Sequence, residues 1–518
     1  MPQHLKDLIV ILVLATVVFA FAKAPACAMA STVDDFKRRR NLWFAVTLAA
    51  FLAHNFWVYI VVVAVLLLLA LPKEQNKLAL FFFLVLALPP IQAYITGLGI
   101  IQHFFAIDYY RLLSLTILLP AYLFLRKQPA SERFGRLLPD KLLAGYLILQ
   151  FVLMTSVITF TDTLRNGAFY AFLDVFLPYY VASRAPKNLP AFRDALMAFA
   201  VAALIAALIA AFEYARHWLL YNSLDRALGV NWMYARYLDR GESVRAVVTT
   251  GQPIPLGYAM AVAAGLFLYL KKSVPNRVVW NAGMVLLLVG LVASMSRGPW
   301  VGAVAMLLAF IVMGPAPAED LVKFGALGLI GAVLLLVVPG GDAIIERLPF
   351  VGSIDEESVT YRRRLFDIST QVIMQNPFFG AFDYFYSPAM QELRQNSAGF
   401  IDLVNTYLGI GLTSGLVGLS LFVGYFVVIF GGIVKSMRRL TDRDGEDYLL
   451  GRVLFSTLVG ILITIYTVSS ITIIPVIYWS VAGLGVAYVR VLALAKAPSK
   501  APEVVGRASF QPMVMRIR

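Results

Sequence analysis

Residues 190–213 read PAFRDALMAFAVAALIAALIAAFE, and this stretch decides the fold class. After Asp194 it carries no charge until Glu213. It is long enough to cross a bilayer, whose hydrocarbon core takes about 20 apolar residues. Working outward, comparable runs recur at 8–22, 42–53 with 56–72, 78–94, 108–125, 141–160 and 166–183. They continue at 252–270, 278–294, 298–313, 322–339, 405–433, 450–468 and 475–492. No soluble domain or low-complexity linker intervenes, and no internal repeat is evident. Over the 518 residues, 60% are hydrophobic and 14% charged, against roughly 45–50% and about 25% in soluble domains. That balance excludes a water-soluble enzyme, a disordered chain and a disulfide scaffold. The one cysteine, Cys27, forms no internal disulfide and no Cys-based metal site. The four histidines, His4, His54, His103 and His217, lie far apart. The expectation is an all-α polytopic membrane protein forming one transmembrane domain over 1–518, with about 12–15 transmembrane helices.

Charge gives the orientation. The net charge of +14 reads as positive-inside bias and attraction to anionic lipid, and no nucleic-acid partner is expected. Basic short loops occur at 126–141, 184–187, 271–277 and 435–443, and the tail 493–518 carries Lys496, Lys500, Arg507, Arg516 and Arg518. They fall on one side if the spans alternate, and that side reads as the cytoplasm. The loops 214–251 and 340–404 then face outward. Lysine is absent from 188–270 and from 324–434. Arginine remains there: Arg216, Arg226, Arg236, Arg240 and Arg245 in the first loop, Arg347, Arg362, Arg363, Arg364 and Arg394 in the second. The N-terminus has two readings. Leu8–Ala22 followed by Ala28-Met29-Ala30 fits a cleaved signal peptide; the cluster Lys37-Arg38-Arg39-Arg40 fits a retained helix better. Residues 42–72, broken at His54-Asn55, fit the loop charges as a tight hairpin.

The loop 340–404 is too long for a simple connection. Val359–Gln375 has Leu365, Ile368, Val372 and Ile373 at helical spacing, with Asn376-Pro377 as the stop. Ser387-Pro388 starts a second short helix through about Gln395, with Ser as N-cap and Pro at the first position. Between them lie Phe378, Phe379, Phe382, Tyr384, Phe385 and Tyr386. This is an interfacial cover, a lid over a lipid-linked sugar, or both. Arg111 and Asp174 sit within spans, where mutual pairing is the first expectation. Gly411 and Gly415 form a small-xxx-small helix-packing face.

Two stretches carry the chemistry. Ser294-Met295-Ser296-Arg297-Gly298-Pro299-Trp300-Val301-Gly302 places an Arg at the outer end of two apolar spans, either snorkelling or binding an anion. In Arg245-Ala-Val-Val-Thr-Thr-Gly251-Gln252-Pro253-Ile-Pro255-Leu-Gly257, Gly and two Pro break the helix and leave backbone donors for phosphate. Arg suits that task because its planar fork binds phosphate oxygens in pairs.

These stretches resemble the O-antigen ligase and Wzy-type polymerase superfamily. So do Asn376-Pro377-Phe378-Phe379-Gly380 and Val404-Asn405-x-Tyr407-Leu408-x₆-Gly415-Leu416-Val417-Gly418-Leu419. The resemblance covers 245–430, with 340–404 inserted as a large periplasmic loop. It implies a GT-C-like, multi-pass enzyme of the bacterial inner membrane with a periplasmic active site. The implied donor is an undecaprenyl-diphosphate-linked oligosaccharide; no metal, nucleotide or other cofactor is implied. The family's diphosphate-binding arginines carry over to Arg245 and Arg297. One departure matters: ligases that build on lipid A–core have a His before the Asn, and here that position is Val404. This favours the polymerase branch, extending repeats of an exopolysaccharide or O-antigen. A chain-length regulator and a flippase are then the expected partners. Asp402 is the candidate base, or alternatively the N-cap of a helix starting near Leu403. Arg362, Arg363 and Arg364 are candidates for a second lipid diphosphate, or for pairing with Asp355, Glu356, Glu357 and Asp367. Gly251 and Asn405 are candidate glycan or diphosphate contacts. The competing readings are a ligase acting on lipid A–core or protein and a non-enzymatic flippase or transporter, the latter disfavoured by the missing repeat.

Overall fold

A computed structural model describes residues 1–97, 99, 103–129, 131–230, 239–240, 243–274, 276–337, 356–394 and 401–495. Arg236, Arg347, Asp355 and the basic residues of the tail lie outside the described residues, as do the side chains of Arg240, Glu356 and Glu357. The chain is an all-α multi-pass membrane protein. Eight described helices are long and apolar enough to cross a membrane, and Arg277–Ala293 and Arg297–Val312 are shorter apolar helices.

The first three helices are α1 (Gln3–Met29), α2 (Val33–Leu52) and α3 (Phe56–Ala70). The turn between α2 and α3 falls at His54-Asn55, and Asn55 caps α3 by accepting from the amides of Trp57 and Val58, so the expected hairpin forms. The expected span 78–94 does not. Its helix, α4, covers only Lys77–Leu84. Pro89-Pro90 cannot continue a helical ladder, and the chain turns into a two-stranded hairpin, β1 (Ala93–Thr96) with β2 (His103–Ile107). Next comes a rod, α5, of Tyr109–Leu113, the π-helical Ser114–Leu118 and Leu119–Lys127. Helix α6 is Leu138–Thr155. A second rod, α7, joins Phe160–Thr163, the π-helical Leu164–Tyr170 and Phe172–Phe176, and Leu177–Arg184. Both intramembrane charges sit here. Arg111 of α5 meets Asp174 of α7 at 3.0 Å and lies 3.4 Å over the Tyr170 ring, which is the pairing expected of them.

The deciding stretch becomes α8 (Leu189–Arg216), the buried spine of the bundle. After it come α9 (Pro253–Phe267), α10 (Arg277–Ala293), α11 (Arg297–Val312) and α12 (Pro317–Val337). The long loop holds α13 (Glu356–Gln375) and a single turn, α14 (Pro388–Gln391), capped by Ser387. Three spans close the chain: α15 (Thr406–Met437), α16 (Glu446–Tyr466) and α17 (Ile474–Ala495).

Polar contacts sort the connections into two ends. At the basic end Arg39 bridges Glu74 and Asp194, both at 2.7 Å. There too Arg184 meets Asp140 at 2.6 Å, both fully buried, and Arg193 meets Glu446 at 2.7 Å. Part of the basic excess is therefore structural, since a buried charge must be paired to be tolerated. At the opposite end Ser223 bonds Asp7, Arg165 donates to the His103 carbonyl, and Thr406 donates to the Val468 carbonyl at 2.9 Å.

Candidate functional site

The site is built at that second end. Arg245 precedes α9, and its guanidinium reaches the turn between α10 and α11. Nε donates to the Ser294 carbonyl at 3.3 Å and Nη2 to the Ser296 hydroxyl at 2.9 Å. Ser296 is the N-cap residue of α11, and Arg297 is its first helical residue. The two arginine motifs, about fifty positions apart, thus meet at one turn. That turn is held tightly. The Ala246 amide donates to the Ala293 carbonyl at 3.0 Å, Trp300 Nε1 donates to the Leu291 carbonyl at 3.0 Å, and Met295 has φ of +49°. A left-handed non-glycine residue costs energy and persists only where its surroundings fix it.

The backbone around Gly251 differs from expectation. Gly251 has φ of +74° and ends the short 3₁₀ turn Val248–Thr250, so its glycine is explained by conformation. Two of the amides before it are already committed. Those of Val247 and Val248 donate to the fully buried Glu213, both at 2.9 Å, and the Leu220 amide donates to its other oxygen at 3.0 Å. Glu213 is the positioning residue that sequence reasoning missed. Its only signal is a carboxylate at the end of an otherwise apolar run.

Asp402 lies on the same rim. The Ser469 hydroxyl donates to Asp402 Oδ1 at 3.1 Å, and the Tyr361 hydroxyl bonds both its amide and its carbonyl at 3.1 Å. It is not a helix cap: Asn405 caps α15, accepting from the Tyr407 and Leu408 amides. That bonding commits the Asn405 side-chain oxygen. Burial raises the Asp402 carboxyl above its ordinary range, opposed by the Ser469 hydrogen bond and by Arg362. Arg362, Arg363 and Arg364 lie on the exposed face of α13. The inner face of α13 packs Leu365 and Val372 against Met390, Leu393 and Leu412.

The 467–469 segment links the halves. A Cβ on Gly298, next to Arg297, would come within 2.4 Å of Thr467 Oγ1, two residues before the Ser469 that holds Asp402. The helix start that carries Arg297 therefore packs on the segment that carries Ser469, the partner of Asp402, and Arg362 is near enough to act on the Asp402 charge.

The aromatic loop also carries a backbone joint that its composition did not suggest. Gly415 interrupts α15 with φ of +60° and ψ of −161°. Into that break goes the segment Pro377–Gly380: the Leu416 amide donates to the Pro377 carbonyl at 2.7 Å, and the Val417 amide to the Phe378 carbonyl at 3.1 Å. The Ala381 amide returns a bond to the Leu412 carbonyl at 2.8 Å. The expected Gly411/Gly415 packing stripe is corrected accordingly. Gly415 is a backbone break, and Gly411 faces Ile373 of α13.

Residues 282–423 match the family model described as O-antigen ligase. That segment is what the chain shares with the O-antigen ligase family. No curated protein matches the chain. The matched segment contains Arg297, the α13 arginines, the Pro377–Gly380 insertion and Asp402, while Arg245 precedes it and Ser469 follows it. The match supports glycan transfer of the O-antigen ligase and polymerase type in general, in a multi-pass membrane protein.

Proposed function

We propose that the chain transfers a glycan from undecaprenyl diphosphate to a sugar hydroxyl on the periplasmic side of the inner membrane. In this reading it polymerises repeat units of an exopolysaccharide or O-antigen. The carrying observation is the junction of Arg245 with the Ser294–Ser296 turn that presents Arg297. Two guanidinium groups at one turn suit a leaving diphosphate, whose charge grows as the glycosidic bond breaks. Asp402 takes the proton of the attacking hydroxyl, its basicity raised by burial. Ser469 holds that carboxylate, and Tyr361 holds the backbone that carries it. The exposed arginines of α13 bind the acceptor's diphosphate, and the Asn405 NH₂ and the Gly251 backbone line the glycan path. Val404, where lipid A–core ligases carry His, favours growth of the chain on its carrier. The partners of such an enzyme are a flippase that supplies repeats and a chain-length regulator.

Purified protein in a bilayer, supplied with undecaprenyl-diphosphate-linked single repeats and nothing else, tests this reading. A ladder of longer glycans on the lipid is the expected product. Single repeats that remain single until lipid A–core or an acceptor protein is added would point to the ligase instead.

A further inference from the structure

Far from the rim, an apolar groove of about 360 Å³ runs between α1, α8 and α10. Phe21 and Val278 on its walls are 70% and 73% exposed, so it opens sideways toward the hydrocarbon. At the basic end it meets a second cavity, of about 810 Å³, and Val274 and Trp280 line both. That cavity gathers Lys271, Lys272, Arg277 and Arg452 against one acid, Asp320. Beyond Asp320 and the Glu446 charge near Lys272, the contacts of these cations are rings and carbonyls. Lys271 lies 5.3 Å over the Trp280 ring, Lys272 donates to the Asp444 carbonyl, and Arg452 stacks 3.6 Å over Phe310 while donating to its carbonyl. Trp280 forms a fixed rim between the cavities. Its ring stacks on Phe267 with an interplanar angle of 2°, and its Nε1 donates to the Phe267 carbonyl at 3.2 Å.

We propose that this composite cavity binds a glycerophospholipid with an anionic headgroup. The phosphate sits among Lys271, Arg277 and Arg452, and an acyl chain lies in the groove beside Phe21 and Val278. Charge complementarity selects the occupant: a zwitterionic lipid would fill the groove but leave the cation cluster unneutralised. The occupant belongs to the leaflet at the basic end, so it is not the glycan donor, whose diphosphate the opposite end would hold.

The full chain in nanodiscs of phosphatidylethanolamine with a minority of phosphatidylglycerol, examined by native mass spectrometry after release, provides the test. Retained phosphatidylglycerol in preference to phosphatidylethanolamine is expected. Lys271→Gln with Arg277→Gln, both on exposed side chains, should weaken retention about 30-fold, at roughly fivefold per cation removed. Ala282→Phe, which fills the groove without touching charge, should lower retention of both lipids. Lys435→Gln with Arg438→Gln removes cations at the same end outside both cavities and should change nothing. Equal retention of the two lipids by the native chain would overturn the proposal. So would equal losses from the cavity and control pairs, or unchanged retention in Ala282→Phe.

Discussion

At the residue scale, the arginines that distinguish this chain divide into two kinds. Arg39, Arg111 and Arg184 are each closed by carboxylates and serve packing. Arg245 instead donates to a carbonyl and a hydroxyl of the turn that carries Arg297. Sequence position alone separated these classes only partly. The absence of Lys from 188–270 and 324–434 singled out the segments that carry Arg245 and the arginines of the long loop, but nothing local shows that Arg39 finds Asp194, 155 residues away. Asp402 is the residue whose pH behaviour follows most directly. Its carboxyl is raised by burial, so the base form is lost as pH falls through that raised value, and the transfer rate should fall with it. Asp402→Asn should lower the rate by about 10²–10⁴-fold and abolish that acid limb. The same shift means that ionising Asp402 opposes folding once pH exceeds its folded-state value. The Asn variant should therefore unfold at no lower temperature than the parent at neutral pH. An Asn variant with an unchanged rate profile would remove Asp402 from the chemistry.

At the element scale, the motifs legible as sequence turn out to be two halves of one joint. Asn376–Gly380 and the Gly415–Gly418 region look like separate signatures, yet the first inserts its backbone into the break in α15 made by the second. Periodicity could not reveal this, because Gly415 fits a helical packing stripe as well as a kink. Likewise 78–94 is apolar enough for a span, and only Pro89-Pro90 hinted at the turn into a hairpin. Helix α13, by contrast, follows its apolar spacing and stops where Asn376-Pro377 demands. The joint yields a prediction. Gly415→Ala places a Cβ within 2.4 Å of the Phe378 carbonyl and at positive φ, a strain of about 1–3 kcal/mol before the clash is counted. It should lower the thermal midpoint of the solubilised protein and misplace α13. Gly424→Ala in the same helix has open space around it and should leave the midpoint unchanged. Similar midpoints for the two variants would contradict the inserted-loop joint.

At the scale of the whole molecule, composition established the membrane class, and alternation of basic loops gave a two-ended bundle that the polar contacts reproduce. The helix count was less legible, since charged helices, π-helical interruptions and half-length α4 do not resemble uniform spans. Sidedness is directly testable in a Cys27→Ser background. Thr370→Cys on α13 should react with a membrane-impermeant thiol reagent applied to intact spheroplasts, and Thr441→Cys at the basic end only after lysis. Reactivity in the reverse order would invert the topology and remove the site from the periplasm.

The central claim is that Arg245 and Arg297 form one diphosphate site at the Ser294–Ser296 turn. The initial rate of chain growth on undecaprenyl-diphosphate-linked repeats, measured for Arg245→Lys, Arg297→Lys and the double variant, tests it most directly. Lys keeps the charge but loses the fork, so each single variant should be slower by about 10²–10³-fold. The double variant should be little worse than the slower single one, as for groups acting as a unit. Full-rate growth by either single variant, or losses that simply multiply in the double, would contradict the account.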